Sequence, residues 1–283
     1  MNRLLLGLLA VFASVSGCLA EVFRLGIVGE DESRYDYEIG LIELALQKAE
    51  GDHTLEIVAH PNSSQSRVLL MLMNDVADFD VTFSGIDRER HARLLTVPVP
   101  LQRGLLGLRI LIVSERHKDR LAGVETLEDL KKVPIGSGTG WPDTSILENA
   151  GFSVAQSDYE SLFKMVYKGR IAGYARGVAE PYREVAVRAA DMPGLAIDTR
   201  LLLAYPFDTF FFVGKQDKKR HDILLQGLTR AYEDGSFMTY FEGHPRIRSV
   251  FLQADLDRRV RFDIENPFLP EAFQNIPDKY WHR

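Results

Sequence analysis

The chain is short of several features that mark common protein classes. Cys18 is the only cysteine in 283 residues, so the chain forms no internal disulfide. After residue 20 it lacks an apolar run long enough to span a bilayer. Lysine and arginine are scattered and the formal charge is −6, which argues against a nucleic-acid partner.

Two kinds of catalytic motif are also missing. The seven histidines show no His-Glu-x-x-His spacing, and no cysteine cluster accompanies them, so we expect no metal site and no cofactor. A Gly-x-Ser-x-Gly elbow, the mark of many serine hydrolases, is absent as well. With 46% hydrophobic and 26% charged residues, the composition is that of an ordinary globular protein.

The first twenty residues are the one strongly apolar stretch. Asn2-Arg3 precede an apolar run over 4–13, and small residues lead to Ala20. This order is typical of a secretory signal peptide, so we expect residues 1–20 to be removed and the mature protein to be exported to the periplasm. Val15-Ser16-Gly17-Cys18 also resembles a bacterial lipobox, and lipid anchoring at Cys18 is the alternative.

A glycine-rich turn stands out near the middle of the chain. Gly136, Gly138 and Gly140 alternate after a short apolar strand, and Trp141-Pro142-Asp143-Thr144 then opens a helix. Glycine lets a backbone approach a bound group closely, and the N–H groups at a helix start favour electron-rich groups. We interpret the turn as a ligand cradle. The alternative is an ordinary strand-to-helix turn with Trp141 in the core.

Short strands and helices alternate on both sides of a proline- and glycine-rich region around Pro98, Pro100, Gly104 and Gly107. This alternation predicts an α/β fold with mostly parallel sheets covered by helices. The prolines and glycines of this region predict that the chain crosses there from one domain to another. A second crossing is expected near Tyr205-Pro206-Phe207. From Arg246 onward we expect an extended wrap over the surface.

The order of segments resembles the family 3 extracytoplasmic solute-binding proteins of bacteria over roughly Phe23 to Gly243. The resemblance is carried by four signatures: Asp80 to Gly85 followed by Arg88-Glu89-Arg90, the strand Leu108 to Val113, Thr126 to Leu130 before the glycine turn, and Tyr159 to Arg170. Other motifs resemble a divergent subgroup, namely Arg34-x-x-Tyr37, Gly104 to Gly107, Trp141 to Thr144, Arg176-Gly177-x-x-Glu180 and Asn266-Pro267.

The resemblance implies a type II periplasmic binding protein fold, with two α/β lobes, two crossover segments and a ligand in the cleft between the lobes. Residues 21–106 and 206–283 would form lobe 1, and residues 107–205 lobe 2. It also implies a monomer that captures a small polar solute for an ABC importer of amino acids or similar compounds, or for a membrane sensor.

The resemblance assigns the ligand's carboxylate to an arginine after the Ser-Gly strand, and Arg88 or Arg90 matches that position. The loop between them and the strand is shorter than usual by two residues. Where the family commonly has an aspartate for the ligand's amino group, this chain has Arg176-Gly177. We therefore expect a ligand with an anionic or electron-rich group instead of standard amino-acid recognition.

Every other candidate has a structural alternative. Arg176 and Glu180 contact ligand or form an ion pair with each other. Trp141 faces Tyr35 or Tyr37 across a ligand, or these aromatic rings pack in the core. Asp143, Thr144, Ser84 and Gln65 hydrogen-bond to the ligand, or they cap local backbone.

Two rival hypotheses stay open. Some relatives of these binding proteins are periplasmic dehydratases, and Glu180 and Asp143 would then be the acid–base pair. A module that binds no ligand would instead keep its cleft open.

Overall fold

The computed structural model of the chain describes residues 20–282. Residues 1–19, which hold Cys18 and nearly all of the predicted signal peptide, and residue 283 lie outside the described range. The strands are β1 (Val22–Val28), β2 (Thr54–His60), β3 (Val81–Gly85), β4 (Leu95–Thr96), β5 (Leu108–Ser114), β6 (Ile135–Gly138), β7 (Val154–Ser157), β8 (Gly173–Gly177), β9 (Leu195–Ile197), β10 (Leu201–Ala204), β11 (Thr209–Val213) and β12 (Val260–Asp263).

Helices connect these strands. The α-helices are α1 (Asp36–Lys48), α2 (Gln65–Met73), α3 (Arg88–Arg93), α4 (Leu127–Lys131), α5 (Pro142–Asn149), α6 (Tyr159–Tyr167), α7 (Pro181–Val187), α8 (Lys218–Glu233), α9 (Ser236–Gly243), α10 (Pro245–Gln253) and α11 (Glu271–Gln274). Short 3₁₀ helices cover Glu32–Tyr35, Leu105–Gly107, Glu115–Leu121, Leu256–Arg258 and Asp278–Tyr280.

The first sheet has the strand order β2-β1-β3-β11-β4. β1 runs parallel to β2 from Val22 opposite Thr54 to Val28 opposite His60, and β11 lies antiparallel to β3 and β4. Helices α1 and α8 pack closely on each other at Gly227, where a Cβ would lie 1.9 Å from the carbonyl oxygen of Ala45. Glycine is therefore required at this helix crossing.

The second sheet has the strand order β12-β10-β5-β8-β6-β7, with β9 beside β5. β6 is parallel to β7 and β8, whereas β5 is antiparallel to β8, β9 and β10. Each lobe thus has a mixed sheet, parallel where helices connect the strands and antiparallel at the strands next to the crossings. The chain has the predicted α/β class and two-lobed arrangement.

Local sequence signals account for several helix starts. Thr126 and Asp129 form a reciprocal capping box at α4, and the side chains of Ser64 and Asp158 accept backbone N–H groups at the starts of α2 and α6. Pro142 and Pro181 begin α5 and α7, where the missing N–H costs nothing.

The C-terminal segment differs from the predicted extended wrap. It forms α10, and β12 then joins the second sheet by pairing in parallel with β10 from Leu201 opposite Val260 to Ala204 opposite Asp263. Assigning all of 206–283 to lobe 1 is therefore wrong for this strand. Beyond it, Leu269, Phe273 and Tyr280 return to the core of the first lobe.

Each lobe has its own apolar core. Phe210, Phe211 and Phe212 of β11 are fully buried in the first lobe, and Ile146, Leu147, Leu162 and Phe163 are fully buried in the second. Across residues 20–282, every helix is too short or too polar to cross a membrane.

Candidate functional site

A cavity of about 750 Å³ lies between the two lobes. Its wall includes the carboxyl ends of β1, β3, β6 and β8, represented by Val28, Ser84, Gly138 and Arg176. Carboxyl ends of parallel strands are the usual location of ligand sites in open α/β sheets. This cavity is therefore the candidate site.

Seven of the predicted site residues line the cavity: Tyr35, Gln65, Ser84, Trp141, Asp143, Arg176 and Glu180. The first three belong to the first lobe and the other four to the second. Segments far apart in the sequence are thus brought around one space.

Three of the predicted residues point elsewhere. Tyr37 is fully buried inside the first lobe, where its hydroxyl donates to the carbonyl oxygen of Leu101 at 2.5 Å. Thr144 is buried beneath the glycine turn and donates to the carbonyl oxygen of Gly138 at 2.7 Å. Arg88 is exposed at the start of α3 and does not line the cavity. A ligand contact does not fit these three positions.

Arg90 is buried, but its guanidinium is occupied by the protein. Nη1 donates to Ser84 Oγ at 2.5 Å and to the carbonyl oxygen of Gly85 at 2.8 Å, and Nη2 donates to the carbonyl oxygen of Gly140 at 3.0 Å. Burial lowers the pKa of Arg90 in spite of nearby carboxylates such as Asp87. Because Gly140 belongs to the other lobe, Arg90 ties the two lobes together.

The glycine turn provides the acceptor for that tie. Gly140 has φ +72°, a left-handed conformation that glycine adopts readily, and a Cβ there would lie 2.3 Å from Ser66 Oγ of the first lobe. At Gly138 a Cβ would lie 2.3 Å from the ring of Trp141. The predicted close approach at this turn therefore exists, and its partners are the facing lobe and the tryptophan.

Arg176 holds a buried cluster of charges at the end of β8. Its guanidinium donates to both carboxylate oxygens of Glu184, at 2.9 and 2.7 Å, and to Glu180 Oε1 at 2.6 Å. Glu180 Oε2 also accepts the backbone N–H of Gly177 at 2.7 Å. Burial raises the pKa of Glu180, whereas Arg176 overcomes the effect of burial at Glu184 and lowers its pKa. The predicted ion pair between Arg176 and Glu180 is present.

A second buried cluster joins Arg109 to Asp143. Arg109 is 2% exposed and donates to Asp143 Oδ1, which also accepts the Tyr205 hydroxyl at 2.7 Å. Arg109 Nε donates to the Tyr205 oxygen at 2.9 Å. Its Nη1 lies 3.6 Å from Glu180 Oε2, which links the two clusters. Asp143 thus belongs to a buried ion pair and does not cap its helix.

Aromatic side chains line both lobes. On the second lobe Trp141 stacks on Tyr174 at 6.4 Å between ring centroids, and the Arg176 guanidinium lies 5.1 Å from the Trp141 ring. On the first lobe Tyr35 meets Phe83 edge to face at 5.3 Å and donates to the carbonyl oxygen of Val28 at 3.0 Å. The rings therefore provide apolar surface at opposite sides of the cavity.

The lobes are in contact around the cavity. Arg183 of α7 donates to Ser33 Oγ at 2.6 Å, and the Arg34 guanidinium lies 3.6 Å from the centroid of the Tyr159 ring. Ser33 and Arg34 belong to the first lobe, and Arg183 and Tyr159 to the second. Together with the tie from Arg90, these contacts describe a closed arrangement.

The charges that line the cavity are of both signs. Arginine contributes six residues and acidic side chains contribute eight: Arg34, Arg109, Arg176, Arg183, Arg188 and Arg246, and Glu30, Asp31, Glu38, Asp143, Asp158, Glu160, Glu180 and Glu184. Within residues 20–282, no three His, Cys, Asp or Glu side chains are grouped so as to hold a metal ion.

Sequence reasoning missed part of this lining. Arg109 carried a usable signal, since it is a charged residue inside the apolar strand Leu108–Ser114 and so needs a buried partner. Glu184 and Arg246 lie on helices among other polar residues, and nothing in the sequence marks them as facing a cavity.

No protein-family model and no curated protein matches the sequence. Solved structures do. An ancestral arginine-binding protein bound to arginine superposes with a TM-score of 0.58 at 16% identity, covering 78% of this chain and 97% of that one. A histidine kinase sensor domain with similarity to periplasmic binding proteins superposes with a TM-score of 0.59 at 12% identity, and the match covers 77% of this chain and 93% of that one.

The chain has the periplasmic binding protein fold. A third structure with this fold is an ancestral amino acid-binding protein described as a precursor of cyclohexadienyl dehydratase. Its TM-score is 0.56 at 14% identity, and the match covers 78% of this chain and 94% of that one. Identities this low establish the fold alone, and the fold predicted from the sequence is confirmed.

Proposed function

We propose that the protein is an exported solute-binding protein that closes its two lobes on a small polar ligand. The observation that carries this proposal is the cavity of about 750 Å³ between the lobes, with charged and aromatic side chains supplied from both sides. A volume in the range of roughly 300–1,000 Å³ is typical of sites for small molecules.

Binding accounts for the arrangement of charges without a reaction. Arg109 and Arg176, two deeply buried cations that line the cavity from the second lobe, are both paired with carboxylates of the same lobe. Such pairs fix the shape and polarity of a site, and the lobes supply the change in conformation. A ligand that contacts both lobes favours the closed state by as much as it binds that state more tightly than the open one.

The class of ligand follows from the lining and from the relatives by fold. The mixture of arginines, carboxylates and aromatic rings suits a small polar compound that carries an acidic group, such as an amino acid or a related acid. Delivery to an ABC permease fits the fold, and so does presentation to a membrane sensor. Export to the periplasm and a monomeric state complete the proposal and rest on the sequence and the fold.

A periplasmic enzyme is the second candidate. It is favoured by Glu180, whose carboxyl group lies at the cavity with a pKa raised by burial, as a general acid requires. One of the proteins with the same fold is also described as the precursor of a dehydratase. Asp143, bonded to both Arg109 and Tyr205, would be the other acid–base group of this candidate.

Thermal stabilisation by a panel of small polar solutes tests the two candidates. L-Arginine, L-glutamine, L-glutamate, L-lysine and aromatic monocarboxylates are added singly, and each sample is then assayed for chemical change. A binding protein gains about 2.7 kcal/mol of stability at a solute concentration 100 times the Kd, and the solute is recovered unchanged. Product formation that is lost in Glu180→Gln would establish the enzyme. The absence of stabilisation throughout the panel would count against a solute-binding role.

A further inference from the structure

Arg34 occupies an unusual position at the edge of the cavity. It lies in the 3₁₀ helix Glu32–Tyr35 of the first lobe, and its guanidinium lies 3.6 Å from the centroid of the Tyr159 ring on the second lobe. Stacking of this kind uses the flat face of the guanidinium. The N–H donors lie in its plane and remain available for another group.

The other five arginines that line the cavity donate to protein acceptors. Each has an oxygen partner within about 3 Å: Asp143 for Arg109, Glu184 for Arg176, Ser33 for Arg183, Glu160 for Arg188 and Glu38 for Arg246. The guanidinium of Arg34 forms neither a hydrogen bond nor an ion pair with any residue in the range 20–282. Arg109 Nη1 also lacks a hydrogen bond, but it lies 3.6 Å from Glu180 Oε2 and the rest of its guanidinium is bonded within the second lobe. Among the described residues, Arg34 is therefore the arginine of this lining whose whole guanidinium is free of hydrogen bonds and ion pairs.

The surroundings of Arg34 keep its guanidinium protonated. Burial opposes the charged form, but the neighbouring Tyr35, Tyr159 and Glu184 outweigh it and raise the pKa of Arg34. Tyr159 is itself fixed, because its hydroxyl donates to Glu184 Oε1 at 2.8 Å. A partly buried cation on a fixed platform, with free in-plane donors, is suited to an oxygen pair in one plane.

We propose, on the basis of the solute-binding function above, that Arg34 binds a single carboxylate group of the ligand through its free N–H edge. The sequence resemblance assigns this task to Arg90. The guanidinium of Arg90 instead donates hydrogen bonds to Ser84, Gly85 and Gly140. The remainder of the ligand then lies toward Trp141 and Phe83, which line the same cavity.

The local charges favour a carboxylate over a phosphate. Acidic side chains outnumber arginines in the lining by eight to six, so a dianion meets more repulsion than a monoanion does. Because Arg34 and Tyr159 belong to different lobes, their stack forms only when the lobes approach each other. A carboxylate bound at Arg34 therefore also stabilises the closed state.

Matched pairs of solutes test the assignment. The probes are L-arginine and L-argininamide, L-glutamine and L-glutaminamide, and phenylacetate and phenylacetamide, with phenyl phosphate as the dianion. Calorimetric affinities are measured for the wild type, for Arg34→Gln and for Arg88→Gln, which removes an exposed arginine outside the cavity. We expect the acid of at least one pair to bind the wild type at least tenfold more tightly than its amide. This preference falls to within about twofold in Arg34→Gln and persists in Arg88→Gln.

The outcomes separate this inference from the proposed function. Solutes that bind the wild type and retain their acid preference in Arg34→Gln would overturn the role of Arg34 and leave the binding function intact. Amides or phenyl phosphate binding as tightly as the acids would do the same. If no solute binds, both proposals fail. Should Arg34→Gln not fold, Arg34→Lys keeps the charge without the planar fork, and a preference equal to that of the wild type would reject the assignment.

Discussion

Replacing Arg176 by methionine removes the charge at the centre of the buried cluster while retaining much of the side-chain volume. In the wild type this guanidinium donates to Glu184 through two nitrogen atoms and to Glu180 through one of them. The side chain of Glu184 is 8% exposed and that of Glu180 20% exposed. The substitution leaves two carboxylates side by side with little water to solvate them.

Breaking a buried ion pair by removal of one partner costs about 3–5 kcal/mol. At roughly 2–4 °C per kcal/mol for a chain of this size, the melting temperature of Arg176→Met should fall by about 6–20 °C. Arg176→Met/Glu184→Gln should recover part of this loss, because only one of the two carboxylates that lose Arg176 is then left. Arg88→Met, at an exposed site, should stay within about 0.5 kcal/mol of the wild type.

The loss of stability in Arg176→Met should depend on pH. Without Arg176, burial raises the pKa of both carboxyl groups above their unfolded values, so the native state of the variant binds protons that the unfolded chain has released. Its stability then increases relative to the wild type as pH falls from 8 to 5. Urea denaturation followed by tryptophan fluorescence measures this, since Trp141 lies 5.1 Å from the guanidinium. A loss below about 1 kcal/mol at pH 8, or a deficit that grows toward pH 5, would refute the reasoning.

Three further predictions concern other parts of the molecule. Burial raises the pKa of Asp208 to about 7, so the native protein keeps a proton on this carboxyl group that the unfolded chain has lost. In denaturation experiments, the wild type should therefore lose stability relative to Asp208→Asn as pH rises from 5 to 8. Parallel pH curves for the two proteins would contradict this. Arg183→Ala removes the bond to Ser33 between the lobes and should shift the open-to-closed ratio by up to about fivefold, seen as a larger radius of gyration in solution scattering, with the melting temperature nearly unchanged. Gly227→Ala should destabilise the protein by about 1–3 kcal/mol through its clash with the Ala45 carbonyl, whereas Gly243→Ala, with open space around it, should not; equal melting temperatures for the two variants would show that the helices yield.

Regular elements with clear local signals were predictable from the sequence. The helices Lys218–Glu233 and Tyr159–Tyr167 each end two residues before a glycine with positive φ, Gly235 in the first and Gly169 in the second. In both helices, the apolar spacing and the glycine just beyond the end are local signals, because they depend only on residues within one or two turns. The turn at Gly138 and Gly140 was also predictable. A side chain at Gly138 would clash with the nearby Trp141 ring, and Gly140 has a positive φ.

The tail was not predictable, since its structure depends on distant partners. β12 alternates Val-Arg-Phe-Asp at an exposed sheet edge and exists through its pairing with β10. Its own sequence carries only a weak strand signal. The expectation of an extended wrap for this stretch was wrong for this reason.

The site was predictable as a set of segments but not as a set of contacts. Arg176 and Glu180 are four residues apart, and their pairing follows from that spacing. The bond from Arg109 to Asp143 joins positions 34 residues apart, and the tie from Arg90 to Gly140 joins positions 50 apart and crosses between lobes. A single sequence holds no information on which of several arginines meets which carboxylate at such separations.

The return of the tail to the second sheet limits how the two halves can move. Besides the crossings near Gly104 and Pro206, the chain passes into the second lobe before β12 and leaves it again before Leu269. Four covalent links between two bodies resist sliding and twisting far more than two links do. The motion that this chain path favours is therefore a rotation of one half against the other about a line near those links, with the distant rim of the cavity moving furthest.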